Sequence, residues 1–108
     1  MARKYFTKKD YTGVKPQKTP AGKFNTYRQN ARKRGISFDL NFKDFENFIS
    51  SPCYFCGGDG YGIDRVNNHL GYEVGNCVAC CTLCNKMKSD IDLNLFIDQC
   101  VKINKHFK

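Results

Sequence analysis

Two Cys-x2-Cys pairs constrain this chain more than anything else in it. Cys53-Tyr54-Phe55-Cys56 and Cys81-Thr82-Leu83-Cys84 stand twenty-four residues apart in a sequence of 108. Pairs of this spacing read as the two halves of a tetrahedral, all-thiolate zinc site. Four thiolates leave no open position, so the expected ion is structural. A chain this short buries a modest share of its surface and is expected to need such a staple. Seven cysteines, an odd number, cannot all pair as disulfides within one chain, and in a reducing compartment they favour metal. The second pair is open to choice, because Cys77-x2-Cys80 has the same spacing. Ligand thiolates sit best on a turn or helix start, where backbone N–H groups stabilise negative sulfur. Cys81 and Cys84 fall at such a start and Cys77 and Cys80 on a strand. The reading is therefore Cys53, Cys56, Cys81 and Cys84 as ligands, with Cys77, Cys80 and Cys100 as small buried apolar residues. A two-metal cluster on six cysteines is the other arrangement the spacing permits.

Charge is split along the chain. Residues 1–35 hold eleven Lys/Arg against one acid, a net +10, and residues 36–108 hold seven against nine, a net −2. No apolar leader core opens the sequence and no run of about 18 apolar residues occurs, so the expectation is a soluble, intracellular protein with no membrane partner. Residues 1–21, with Gly13, Pro16 and Pro20 among lysines and threonines, read as an extended basic arm. A folded domain is expected over 22–108. Arg3, Lys4, Lys8 and Lys9 in the arm, and Arg28, Arg32, Lys33 and Arg34 beyond it, make a polyanion footprint, with nucleic acid as the default partner and DNA ahead of RNA. Tyr5, Phe6, Tyr11, Phe24 and Tyr27 are interleaved with these cations, where aromatic rings can stack on bases. The plainer reading is a solvated tail.

Phe24, Tyr27 and Ala31 recur at helical spacing, which predicts a helix over 23–34 with Gly35 just past its end. Ile36, Phe38 and Leu40 alternate with polar residues and predict a short strand. Asn41 and Asp44 predict a capped helix over 42–50 with Phe42, Phe45, Phe48 and Ile49 inward. The glycines from 57 to 62 mark a tight, mobile loop. Residues 63–66 predict a strand, 67–72 a turn and 77–80 the returning strand. A short helix is expected from about Thr82, and a last one over 93–106, capped by Asp92. Its residues Leu93, Phe96, Ile97, Cys100, Val101 and Phe107 are expected to pack on the core. Hairpin and helix, pinned by the cysteine pairs, would bring Asp64 and Asn85 together. Both offer oxygen ligands, which suit Mg²⁺ or Mn²⁺.

Several motifs in order carry a family resemblance. Gly62-Ile63-Asp64-Arg65-Val66, Gly71-Tyr72, Asn76-Cys77-Val78 and Cys80-Cys81-Thr82-Leu83-Cys84-Asn85-Lys86-Met87-Lys88 resemble the zinc-containing, phage- and intron-associated HNH endonucleases. So does the upstream segment Tyr27-Arg28-Gln29-Asn30-Ala31-Arg32-Lys33-Arg34-Gly35-Ile36. The resemblance covers about residues 24–107. It implies an α+β, zinc-stabilised ββα-metal fold and a phage or mobile-element setting. It implies Asp64 as the metal-binding acid, Asn76 as the residue that holds the hairpin loop through backbone hydrogen bonds, and Asn85 as a helix-borne metal ligand. Arg65 departs from the pattern, because the family has its general-base histidine there. A guanidinium stays protonated and cannot take a proton from water, though it can clamp a phosphate. His69, in the turn, is a substitute base.

Two functions follow. One is a divalent-metal-dependent DNA endonuclease or nickase. The other is a catalytically inactive zinc protein that binds DNA or RNA within a nucleoprotein assembly. A zinc-dependent protein-interaction finger fits the cysteines but neither the basic arm nor Asp64 and Asn85.

Overall fold

The computed structural model describes residues 19–108. The arm and its candidate contacts Arg3, Lys4, Lys8 and Lys9 lie outside the described residues, apart from 19–21. The architecture is α+β. Helices α1 (Pro20–Lys33) and α2 (Phe42–Ile49) precede a two-stranded hairpin, β1 (Gly62–Arg65) and β2 (Cys77–Cys80). Helices α3 (Thr82–Lys88) and α4 (Leu93–His106) follow it. The strands are antiparallel, with Asp64 opposite Val78 and Arg65 opposite Cys77. A 3₁₀ turn at Val74–Asn76 leads into β2.

Local chemistry sets the helix ends. Helix α1 starts three residues earlier than the apolar period predicts. Thr19 caps it by accepting the Gly22 N–H at 3.1 Å, and Pro20 fills the first turn, where a missing N–H does no harm. Its far end closes on Gly35 at φ +69°. The Ile36 N–H donates to Ala31 O at 2.8 Å and the Gly35 N–H to Arg32 O at 3.1 Å, the paired closure that a left-handed glycine permits. Helix α2 opens on a reciprocal box. Asn41 accepts the Asp44 N–H at 2.8 Å and the Asn41 N–H donates back to Asp44 at 3.3 Å, as expected of such a pair.

Helices α1 and α2 and one face of the hairpin enclose an aromatic core centred on Phe45, which is wholly buried. Phe24 and Tyr27 meet the Phe45 ring edge-on at 5.4 and 5.3 Å, and Tyr27 meets Tyr72 at 6.0 Å. Each such pair adds about 0.5–1.5 kcal/mol beyond burial. Phe24 and Tyr27 are thus core residues, correcting their reading as base-stacking side chains. The Tyr27 hydroxyl also accepts the Ile63 N–H at 3.2 Å, tying α1 to the start of the hairpin.

The expected strand over 36–40 keeps its alternation, with Leu40 buried and Ser37 and Asp39 exposed, but makes one bridge only, Phe38 with Tyr72. It crosses the hairpin turn where Gly71 leaves room. A β-carbon on Gly71 would stand 2.6 Å from the Ser37 carbonyl oxygen and closer still to its hydroxyl. The glycine loop before β1 folds back on itself through a Pro52–Asp59 bridge. The expectation for α4 is corrected. Only Phe96 is buried, against the Phe55 ring at 5.6 Å, while Ile97, Val101 and Phe107 are exposed. Leu93 and Cys100 are half-buried.

Candidate functional site

The four thiols singled out by spacing meet in one place. The sulfurs of Cys53, Cys56, Cys81 and Cys84 all lie within 4.8 Å of one another. Cys56 and Cys81 are 3.8 Å apart, about the edge of a tetrahedron whose metal–sulfur bonds are about 2.3 Å. Cys81 is the N-cap of α3 and accepts the Cys84 N–H at 3.4 Å. Burial raises the Cys53 thiol, but the backbone N–H groups of Cys56, Cys81 and Phe55 outweigh it and hold Cys53 below the ordinary thiol range. Burial pushes Cys81 and Cys84 up, so a cation must supply what keeps them ionised. The four can hold a metal such as zinc. Cys77 and Cys80 lie on β2, outside this group. Burial pushes Cys77 up to about 11 and Cys80 higher still, so both remain neutral thiols.

The hairpin turn is held from inside by Asn76, which is buried. Its Oδ1 accepts the Asn67 N–H at 2.9 Å, and its Nδ2 donates to Asn67 O at 3.1 Å and Gly71 O at 2.9 Å. Arg65 braces the same turn from the other side. Its Nη1 donates to Asn68 O at 3.0 Å and Leu70 O at 2.7 Å, and the guanidinium lies over the Tyr72 ring at 5.5 Å.

Asp64 is buried in β1 and faces Lys88, the last residue of α3, which is 0% exposed. Lys88 Nζ lies 3.1 Å from Asp64 Oδ2 and donates to Arg65 O at 3.3 Å. Nζ approaches Oδ2 outside the angular range of a good hydrogen bond, and no other described donor reaches that oxygen. Burial pushes the Asp64 carboxyl above its ordinary value, with Lys88 and then Arg65 pulling the other way.

An open cleft of about 740 Å³ runs past this pair, lined among others by Arg34, Asp64, Arg65, Asn85, Lys86 and Asp90. Asp64 and Asn85 therefore share one cleft. Asp64 offers a carboxylate whose Oδ2 is buried against Lys88, and Asn85 an amide oxygen; oxygen donors of this kind suit Mg²⁺ or Mn²⁺. Three cations line the cleft against two carboxylates, one of them already matched by Lys88, so its balance suits a phosphate. Arg34 reaches it from the end of α1. Arg28, Arg32 and Lys33 are exposed on α1 but do not line the cleft, and neither does His69. Arg28 lies over the Phe24 ring at 5.3 Å.

The overall fold is shared with a solved structure. The rare-cutting HNH restriction endonuclease PacI, described with a mechanism of DNA perturbation, superposes with a TM-score of 0.64. The match covers 96% of this chain and 89% of that one at 20% identity. The fold is HNH-like. No protein-family model matches the chain. The chain is also similar to uncharacterized protein R423 of Acanthamoeba polyphaga mimivirus, at 34% identity over 110 aligned positions. That alignment covers 98% of this chain and 21% of the viral protein, so the chain spans about a fifth of the length of the curated relative it matches. Among the described residues no helix is long and apolar enough to cross a membrane.

Reasoning from the sequence missed two features of this site. Lys88 was one, though a signal existed. Positions 81, 84 and 88 fall on one face of a helix, and the cysteine spacing places 81 and 84 at a buried metal. A lysine continuing that stripe needs an internal acid. Asn68 was the other. Its Nδ2 donates to Asp90 O at 2.8 Å and ties the hairpin turn to the end of α3. Nothing in the local sequence marks that bond.

Proposed function

We propose that this chain binds DNA across the Asp64 cleft and hydrolyses a phosphodiester there, as an HNH-like endonuclease or nickase with a structural zinc. The observation that carries the reading is the single cleft in which two oxygen donors, Asp64 and Asn85, meet the cations Arg34, Arg65 and Lys86. When bound, a divalent ion supplies charge stabilisation to the oxygen that leaves phosphorus. Asp64 and Asn85 are the residues that hold it. Arg34 and Lys86 bind phosphate oxygens, and Arg65 sets the turn through its Nη1 while the rest of its guanidinium faces the phosphate. Asn76 keeps the turn in shape. With arginine at 65 and His69 outside the cleft, Asp90 is the remaining side chain there that can take a proton from water. The giant-virus relative fits the expected setting in a viral or mobile element.

A second reading has its own observation. Arginine stands where the resemblance places the general base, and Lys88 already matches Asp64. Both favour a protein that holds DNA or RNA in a nucleoprotein assembly without cutting it. Zinc-loaded protein incubated with supercoiled plasmid and Mg²⁺ or Mn²⁺ separates the two. Nicking that falls by about a hundredfold or more in Asp64→Ala supports the nuclease. Retarded but uncut plasmid in parent and variant alike supports binding alone.

A further inference from the structure

Asp64 carries a resident cation. Lys88 is fully buried, its ammonium touches Asp64 Oδ2, and its other described acceptor is the Arg65 carbonyl. A lysine confined in this way is held by the packing of β1 against α3 and cannot swing into solvent without opening that contact. The carboxylate thus meets an ammonium at the edge of a cleft whose other cations outnumber its acids. A divalent ion seeking the same carboxylate is opposed twice, by an adjacent ammonium and by the field of the cleft.

We propose that Lys88 is a built-in competitor for the divalent ion: it occupies the cation position on Asp64 and makes metal binding by the free protein weak. The proposal rests on the reading of Asp64 as a metal ligand. Its physical content is simple repulsion. Even with water's full screening, a dication a few ångströms from an ammonium loses about tenfold in affinity, and more in a partly buried site. Lys88 has a consequence for partners too. A phosphodiester in the cleft brings the negative charge that offsets Arg34, Arg65 and Lys86, so ion and nucleic acid are expected to bind better together than apart.

The test uses the zinc-loaded 108-residue chain, with Mn²⁺ as the probe and free Mn²⁺ counted by its electron paramagnetic resonance signal. Parent, Lys88→Met, Asp64→Asn and the double variant are compared. The expected result is that Lys88→Met binds Mn²⁺ at least about tenfold more tightly than the parent, and that adding Asp64→Asn removes the gain. If Asp64→Asn weakens Mn²⁺ binding in the parent but Lys88→Met does not strengthen it, the competition is overturned and Asp64 remains a ligand. Mn²⁺ binding indifferent to Asp64 in both backgrounds overturns the competition and the ligand reading together. Should Lys88→Met not fold, the parent decides. Titration with Mg²⁺ is expected to move the Lys88 Nζ resonance as the ammonium yields Asp64. A Lys88 signal unmoved while the Asp64 signal shifts to saturation overturns the proposal.

Discussion

The thiol cluster and the Asp64 cleft are joined by one seven-residue helix, with Cys81 capping its start and Lys88 ending it, yet they treat buried charge in opposite ways. The cluster gathers four ionisable sulfurs. An ion from outside would balance the charge of the four thiolates. The cleft buries one carboxylate and brings its own ammonium to meet it. Metal at the first place would therefore be part of folding, and metal at the second an addition to a site that already stands.

The sharpest way to break that contrast is to remove metal altogether. Free energies of structural zinc binding are about 10–16 kcal/mol. A strong chelator, or Cys81→Ser, is expected to unfold the hairpin and α3, seen as loss of near-ultraviolet circular dichroism, whereas withholding Mg²⁺ leaves the spectrum unchanged. A chelated chain that keeps its native spectrum would show the thiols to be as self-sufficient as the cleft. Next in size is the ion pair. Lys88→Ala leaves a buried carboxylate unmatched and is expected to destabilise by about 3–5 kcal/mol in urea denaturation. Replacing both partners, Asp64→Asn with Lys88→Met, should recover much of that. Asn76→Ala is expected to lose about 1–3 kcal/mol, because it leaves the Asn67 N–H and two carbonyls without their buried partner. The loss should be measurable with zinc still bound, since the cluster does not touch Asn76.

The smallest effect is on pH. Asp64 has its carboxyl raised in the folded state, mainly by burial. The folded chain therefore holds a proton that the unfolded chain releases, across the window from the ordinary Asp value up to the raised one. Asp64 thus favours folding below that window, and this contribution is lost as pH rises through the folded value. Parent stability minus that of Asp64→Asn should rise as pH falls through the window, a difference in which acid release of zinc cancels. A flat difference would mean that Lys88 fully offsets burial.

The comparison also separates what a sequence discloses from what it hides. Caps at Asn41, Gly35 and Asp92 were legible because each is a contract between residues a few positions apart. The four thiols were legible because spacing and helix start agree. Lys88 was hidden because its partner is 24 positions away, as Asp64 and Lys88 are numbered, and helical spacing names a face without naming what lies opposite. Phe24 and Tyr27 sit among cations and look like a binding surface. Only the path of α2 and the hairpin turns them into core. Helix α4 shows the converse. Its apolar stripe is plain in the sequence, but periodicity does not supply a neighbour, and half of the stripe, Ile97, Val101 and Phe107, is uncovered.

Gly71 has a consequence for how this fold can vary. The bare α-carbon lets the 36–40 segment lie directly on the hairpin turn, with the Asp39 N–H donating to Tyr72 O at 2.7 Å and the Tyr72 N–H to Ser37 O at 2.9 Å. The turn that carries Arg65's acceptors is thereby fastened to the N-terminal half. Any side chain at 71 would act as a wedge between the two halves, so this one position reports whether a related chain still couples its basic helix to its acid. A relative with a bulky residue there would present its basic helix and Asp64 as two loosely joined parts.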